Sequence, residues 1–270
     1  MIDRRAFLKG GTASAGAAVI SSLSSVDVAK AADAPRDFQT RDSRNSGYSY
    51  RLPNLEKGTR LVFIGDSITD MKWGRNEKDR NHYLGHSYVY LIAARLGVDM
   101  PQAELEFFNR GHSGNRLADL KSRWQRDVIE MKPDLLSVLV GVNDRRVKKG
   151  QTVDFVRWEN DYRAVLNRSR QANGKLKIVL IDPFVLKTGR WVDKDDEWDR
   201  NRLQIASMRE IVSKLAKEFE AVQIPMQAVY DEAAKHAGPE QWIWDGVHPL
   251  PQGHELIART WLDRVSARWA

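Results

Sequence analysis

Short runs of β-branched and apolar residues alternate along this chain with stretches whose apolar positions recur every three or four residues. Five such runs predict strands: Arg60–Gly65, Leu105–Asn109, Leu135–Val140, Lys177–Asp182 and Val222–Pro225. Phe155, Trp158, Tyr162 and Val165 share one helical face, as do Met208, Val212, Leu215 and Phe219, and then Ile257, Trp261 and Val265. Strands alternating with helices of this length predict βαβ units, a mostly parallel sheet covered on both faces, and a single α/β domain. Ligands of such sheets gather beyond the carboxyl ends of the strands. The residues that follow each run are therefore the first candidates for chemistry.

The first thirty residues carry no such pattern. Met1–Gly10 holds the pair Arg4-Arg5 followed by Phe7, Leu8 and Lys9. A weakly apolar, small-residue stretch from Gly11 to Val28 leads to Ala29-Lys30-Ala31, an A-x-A cleavage site. These are the parts of a bacterial export signal, and the twin arginine resembles a Tat signal, with Asp3 where Ser or Thr is usual. Residues 1–31 are read as that signal, implying the Tat export machinery as partner and a periplasmic or secreted protein. The stretch is too rich in Ser, Ala and Gly to serve as a membrane span. Residues 32–58 are read as a polar segment, and 59–270 as the α/β domain.

Composition narrows the rest. The 270 residues include 43 Lys and Arg, 36 Asp and Glu, and no cysteine, for a formal net charge of +7. Loss of residues 1–31 removes four basic and two acidic side chains and leaves +5. The excess is mild and no basic run interleaves with aromatics, so a nucleic-acid partner is not expected. Without cysteine there is no disulfide framework, thiolate metal site or cysteine nucleophile.

Each strand end offers a residue with two readings. Gly65-Asp66-Ser67-Ile68-Thr69-Asp70 presents a hydroxyl at the rim of the sheet, or a serine helix cap. Asn109-Arg110-Gly111-His112-Ser113-Gly114-Asn115 is either a backbone donor loop or an ordinary Gly-rich connection, and it matches no phosphate-binding motif. Gly141-Val142-Asn143-Asp144 brings an amide donor or an Asx turn. Trp244-Asp245-Gly246-Val247-His248-Pro249 spaces a carboxylate and an imidazole so that they can pair, or holds a capping Asp and a surface His.

Taken together, the four blocks supply an acyl-transfer site: a Ser67 nucleophile, His248 as base, Asp245 to orient it, and donors for an oxyanion. In this order they resemble the SGNH (GDSL-type) hydrolase superfamily, over roughly Arg60–Trp261. That resemblance implies a flavodoxin-like three-layer α/β/α sandwich with a five-stranded parallel sheet. It also implies Ser67, Asp245 and His248 as the catalytic triad. The oxyanion hole would comprise the N–H groups of Ser67 and Gly114 with the Asn143 side chain.

The stretches Gly111–Trp124, Met131-Lys132-Pro133-Asp134 and Trp244–His254 further resemble the SGNH acetylxylan esterases, which implies an exported serine esterase acting on acetylated carbohydrate. Two loops depart from that pattern: the charged one after Asp70, through Arg80, and the one from Phe184 to Arg200. Trp73, Trp191 and Trp198 in these loops, with Trp244 beside the triad, are candidates for stacking on a sugar, whereas Trp158 and Trp261 belong to the core. Arg145, Arg146, Lys148 and Lys149 read as a solvated basic loop. His82, His86, His112 and His254 fit no zinc spacing, so neither metal nor cofactor is expected. A lipid-directed esterase or lysophospholipase is the alternative, and a non-catalytic carbohydrate-binding protein on the same scaffold is a third.

Overall fold

Leu61, Val62, Phe63 and Ile64 are buried without interruption along β1 (Arg60–Gly65), as expected for a strand with helices on both faces. The computed structural model describes residues 48, 50–147 and 151–270. The expected export signal (1–31), residues 32–47 of the polar segment, and Lys148 and Lys149 lie outside the described residues. β1 pairs in parallel with β2 (Glu106–Gly111) and β3 (Leu135–Leu139). β3 pairs with β4 (Lys177–Ile181), and β4 with β5 (Val222–Ile224), giving the order β2-β1-β3-β4-β5. This is the flavodoxin-like order, whose topological switch lies between β1 and β3. Gly65 is in register with Gly111 and Leu139, so the three connections that follow these strands leave the sheet side by side.

Seven α-helices occur among the described residues: α1 (Ser67–Asp70), α2 (Tyr88–Asp99), α3 (Leu117–Trp124), α4 (Phe155–Ala172), α5 (Asp195–Glu218), α6 (Met226–His236) and α7 (Pro251–Trp269). Phe63 takes Tyr88 of α2 and Trp261 of α7 onto one face of the sheet, with ring centroids 6.2 and 5.6 Å away. Trp261 Nε1 also donates to Ser137 Oγ in β3 (3.2 Å). The other layer joins α3 to α4 through Trp124 Nε1 and Ser169 Oγ (2.9 Å), and α4 to α5 through Arg163 and Glu218. The expected core tryptophans Trp158 and Trp261 are buried. None of these helices is long and apolar enough to cross a membrane.

β3, β4 and β5 each end one residue short of the predicted runs and β2 starts one residue later, while two boundaries differ by more. β2 continues two residues past Asn109, because Arg110 and Gly111 still pair with Ile64 and Gly65. α5 begins at Asp195, inside the stretch read as a loop to Arg200. Its first turn holds Asp195, Asp196 and Glu197, acidic side chains that favour the positive end of a helix while showing no apolar period.

Candidate active site

The β1–α1 turn is organised by Asp66 rather than by Ser67. Asp66 is the N-cap of α1 and accepts from Ile68 N–H at 3.0 Å. Ser67 is the first helical residue, so its N–H is one of the donors a helix start leaves without an intrahelical acceptor. Its hydroxyl is free of capping duty. It lies 2.8 Å from Nε2 of His248, 181 residues later.

The other imidazole nitrogen, Nδ1, lies 2.8 Å from Asp245 Oδ2. A carboxylate can only accept, so Nδ1 carries the proton and Nε2 is left to accept from Ser67. Asp245 Oδ1 meanwhile takes the backbone N–H groups of Val247 (3.1 Å) and His248 (2.8 Å). Burial pushes the Asp245 carboxyl up, but the bonds from the His248 side chain and from these two amides outweigh it. They hold it well below the usual carboxylate range. Asp245 is therefore a fixed anion that holds the Nδ1 side of the ring and leaves Nε2 facing Ser67, the orientation in which His248 can take its proton.

The β2 loop is set by residues to which the sequence pattern assigns no role. Buried Asp70 at the end of α1 accepts from Ser113 N–H (2.8 Å) and Ser113 Oγ (2.6 Å). Arg75 binds both Asp70 oxygens at 2.8 Å and stacks on Trp73. This clamp holds the turn His112–Asn115, closed by Asn115 N–H to His112 O (3.1 Å), in which Gly114 sits at φ +83°. A type II turn needs such a left-handed residue at its third position, which is why glycine stands there. Buried Asn143, after β3, gives one N–H of its Nδ2 to Asn115 O (3.1 Å). Its side-chain amide has a second N–H to offer.

Two buried groups beside this arrangement titrate abnormally. Burial pushes the Asp66 carboxyl up to about 7, with its Oδ2 left without a partner. Burial pulls His254 down to about 3, and its Nδ1 accepts from Tyr88 N–H (3.3 Å). Exposed His82 pairs with half-buried Asp79 and His112 stands in the β2 loop; among the described residues no group of three potential ligands gathers around them.

The tryptophans divide. Trp73 and Trp191, expected as sugar platforms, are only 6% and 0% exposed. Trp73 Nε1 donates to Gly111 O (2.9 Å), and Trp191 packs on Trp198 at 5.6 Å, so both indoles hold loops together and are not presented to a sugar. Trp198 lies in α5 and is half-buried. Trp244 is 62% exposed directly before Asp245. Arg145, expected in solvent, is buried and donates to Asn201 Oδ1 (3.0 Å), with its guanidinium over the Trp191 ring.

Residues 63–256 match the GDSL-like lipase/acylhydrolase family model. An acetylxylan esterase of Geobacillus stearothermophilus is 32% identical over 222 residues, 80% of this chain and 97% of that protein. A solved acetylxylan esterase structure from that organism aligns with a TM-score of 0.68 at 30% identity, covering 80% of this chain and 98% of its own. A Parabacteroides merdae structure described as a GDSL-like lipase aligns with a TM-score of 0.71 at 33% identity, over 78% of this chain and 97% of its own.

Proposed function

This chain belongs to the GDSL-like lipase/acylhydrolase family, whose members cleave esters, and from that premise we propose that it removes acetyl groups from carbohydrate through an acyl-enzyme on Ser67. The observation that carries the reading is the unbroken hydrogen-bond path from Ser67 through His248 to Asp245.

In the proposed cycle, Ser67 Oγ attacks the acetyl carbonyl as its proton passes to His248 Nε2. Asp245 stabilises the imidazolium so formed. The oxyanion is received by the N–H groups of Ser67 and Gly114 and the second N–H of the Asn143 side chain. Collapse breaks the ester bond, His248 returns the proton to the departing sugar hydroxyl, and the acetyl group remains on Ser67. Water then attacks this ester with His248 as base, releasing acetate. Trp244 is the side chain we assign to the sugar, since it alone of the four candidate tryptophans is fully at the surface.

Similarity to an acetylxylan esterase over four-fifths of the chain supports an acetylated polysaccharide as the substrate class. Acetate release from a panel of acetylated polysaccharides, compared with octanoyl esters and choline esters, tests it. Release from xylan or a related glycan is expected. Preference for octanoyl esters would replace this reading with a lipid-directed one.

Export belongs to the same proposal and rests on Arg4-Arg5 and Ala29-Lys30-Ala31. N-terminal sequencing of the protein from fractionated cells is expected to begin at Ala32; recovery of the uncleaved chain from the cytosol would remove it.

A further inference from the structure

We infer that Arg190 is a positioning residue of the ester-cleaving site, holding Asp245 by two contacts and setting the pH range over which the Ser67–His248 pair works. This rests on the serine-esterase reading above and adds a fourth group to it.

Arg190 lies in a short 3-10 turn, Gly189–Trp191, on the connection between β4 and α5. Its Nε donates to the backbone O of Asp245 (2.9 Å) and its Nη2 to Asp245 Oδ2 (2.5 Å). The fork thus grips main chain and side chain of one residue, a geometry that the planar guanidinium makes and a lysine cannot. Asp245 Oδ2 is shared between Arg190 and His248 Nδ1, while Oδ1 takes two amides. All four acceptor positions of the carboxylate are occupied, so it can neither rotate nor pick up a proton without breaking one of them.

The chain approaches closely to deliver this contact. Leu186 N–H donates to Gly246 O (3.1 Å). Gly189 stands at φ +51°, and a Cβ there would meet Asp245 Cα and Trp244 O at 2.7 Å. Only glycine lets the turn lie flat against the Asp245 backbone and aim the next residue at the carboxylate.

The electrostatic consequence has a definite sign. Arg190 places a positive charge on the same Asp245 oxygen that His248 Nδ1 contacts, and it partly offsets the carboxylate's support of the imidazolium. The charged and titratable groups around the pair are Asp66 and His254 toward His248, with His86 beyond His254, and Arg190 and Arg145 toward Asp245. Arg145 is stacked on Trp191 and bonded to Asn201, and makes no contact with Asp245. Arg190 is the cation that touches the carboxylate.

The test is the pH dependence of kcat and kcat/KM for an aryl acetate in Arg190→Gln and Arg190→Lys, with melting temperatures and serine titration by a fluorophosphonate. For Arg190→Gln the proposal expects kcat to fall about tenfold with KM unchanged. The acid limb should move up by about half a pH unit or more. An acid limb that stays in place, with activity lost only in step with labelled serine, overturns it. If Arg190→Gln does not fold, Arg190→Lys decides. It keeps the charge and loses the fork, so a reduced kcat with an unmoved limb supports the proposal, and parental kcat overturns it. Ser67→Ala runs in the same assay; undiminished activity there sinks the serine reading itself, whatever the Arg190 variants do.

Discussion

The carboxylate of Asp70 accepts both the backbone N–H and the hydroxyl of Ser113, 43 residues further along the chain, at 2.8 and 2.6 Å. Through this one contact the end of the nucleophile helix fixes the neighbouring donor loop, so Ser67 and Gly114 cannot drift independently. Asp70→Ala should therefore lower stability by about 3 kcal/mol in urea denaturation, since buried Asp70 also balances Arg75. Activity should fall about 100-fold, the usual effect of a small misplacement of a donor. Ser113→Ala, which spares the Arg75 pair, should cost only about 1 kcal/mol. A Ser113→Ala variant with parental stability and activity would show that Asp70 matters through Arg75 alone.

Ser67→Ala should reduce turnover of an aryl acetate by roughly 10,000-fold or more and abolish fluorophosphonate labelling. The melting temperature should hardly change, because Asp66 and not Ser67 caps α1.

Asn143→Ala should lower kcat by about 100- to 1,000-fold with little change in KM if its free N–H meets the oxyanion. A parental kcat would leave Asn143 with only its bond to Asn115 O.

The buried Asp66 carboxyl makes stability pH-dependent. Its value rises from 3.8 unfolded to about 7 folded, so between these pH values the folded chain holds a proton the unfolded chain has lost. Its contribution is present at low pH and disappears as pH rises through about 7. Asp66→Asn keeps an N-cap and cannot ionise, so its melting temperature should gain on the parent between pH 5 and pH 8. A constant difference across that range would refute the linkage.

Trp244→Ala should raise KM for acetylated xylo-oligosaccharides about two- to tenfold while leaving the aryl acetate unaffected. Trp73→Ala and Trp191→Ala should instead destabilise the fold by about 3–5 kcal/mol, since both indoles are buried. Denaturation curves and glycan kinetics on the three variants separate the two roles.

By itself the sequence determined the five strands, the order of the four blocks, and Ser67, Asn143, Asp245 and His248 as the residues to bring together. These are local matters: strand runs are legible because burial on both faces demands continuous apolar residues, and the blocks sit where such runs stop. Tertiary structure decided what depends on partners distant in the chain. Trp73 and Trp191 occur in polar stretches, yet they are buried, because Gly111 O receives one indole and Trp198 covers the other. Asp70 and Ser113 stand within two of the four blocks and Arg190 within none, yet nothing in the spacing of any of them assigns a partner. Their roles exist only once the parallel pairing of β1 with β2 sets Asp70 beside Ser113, and the β4–α5 connection folds Arg190 onto Asp245. A hydrogen bond needs two groups within about 3 Å, and no spacing along the chain specifies that distance across 43 or 55 residues.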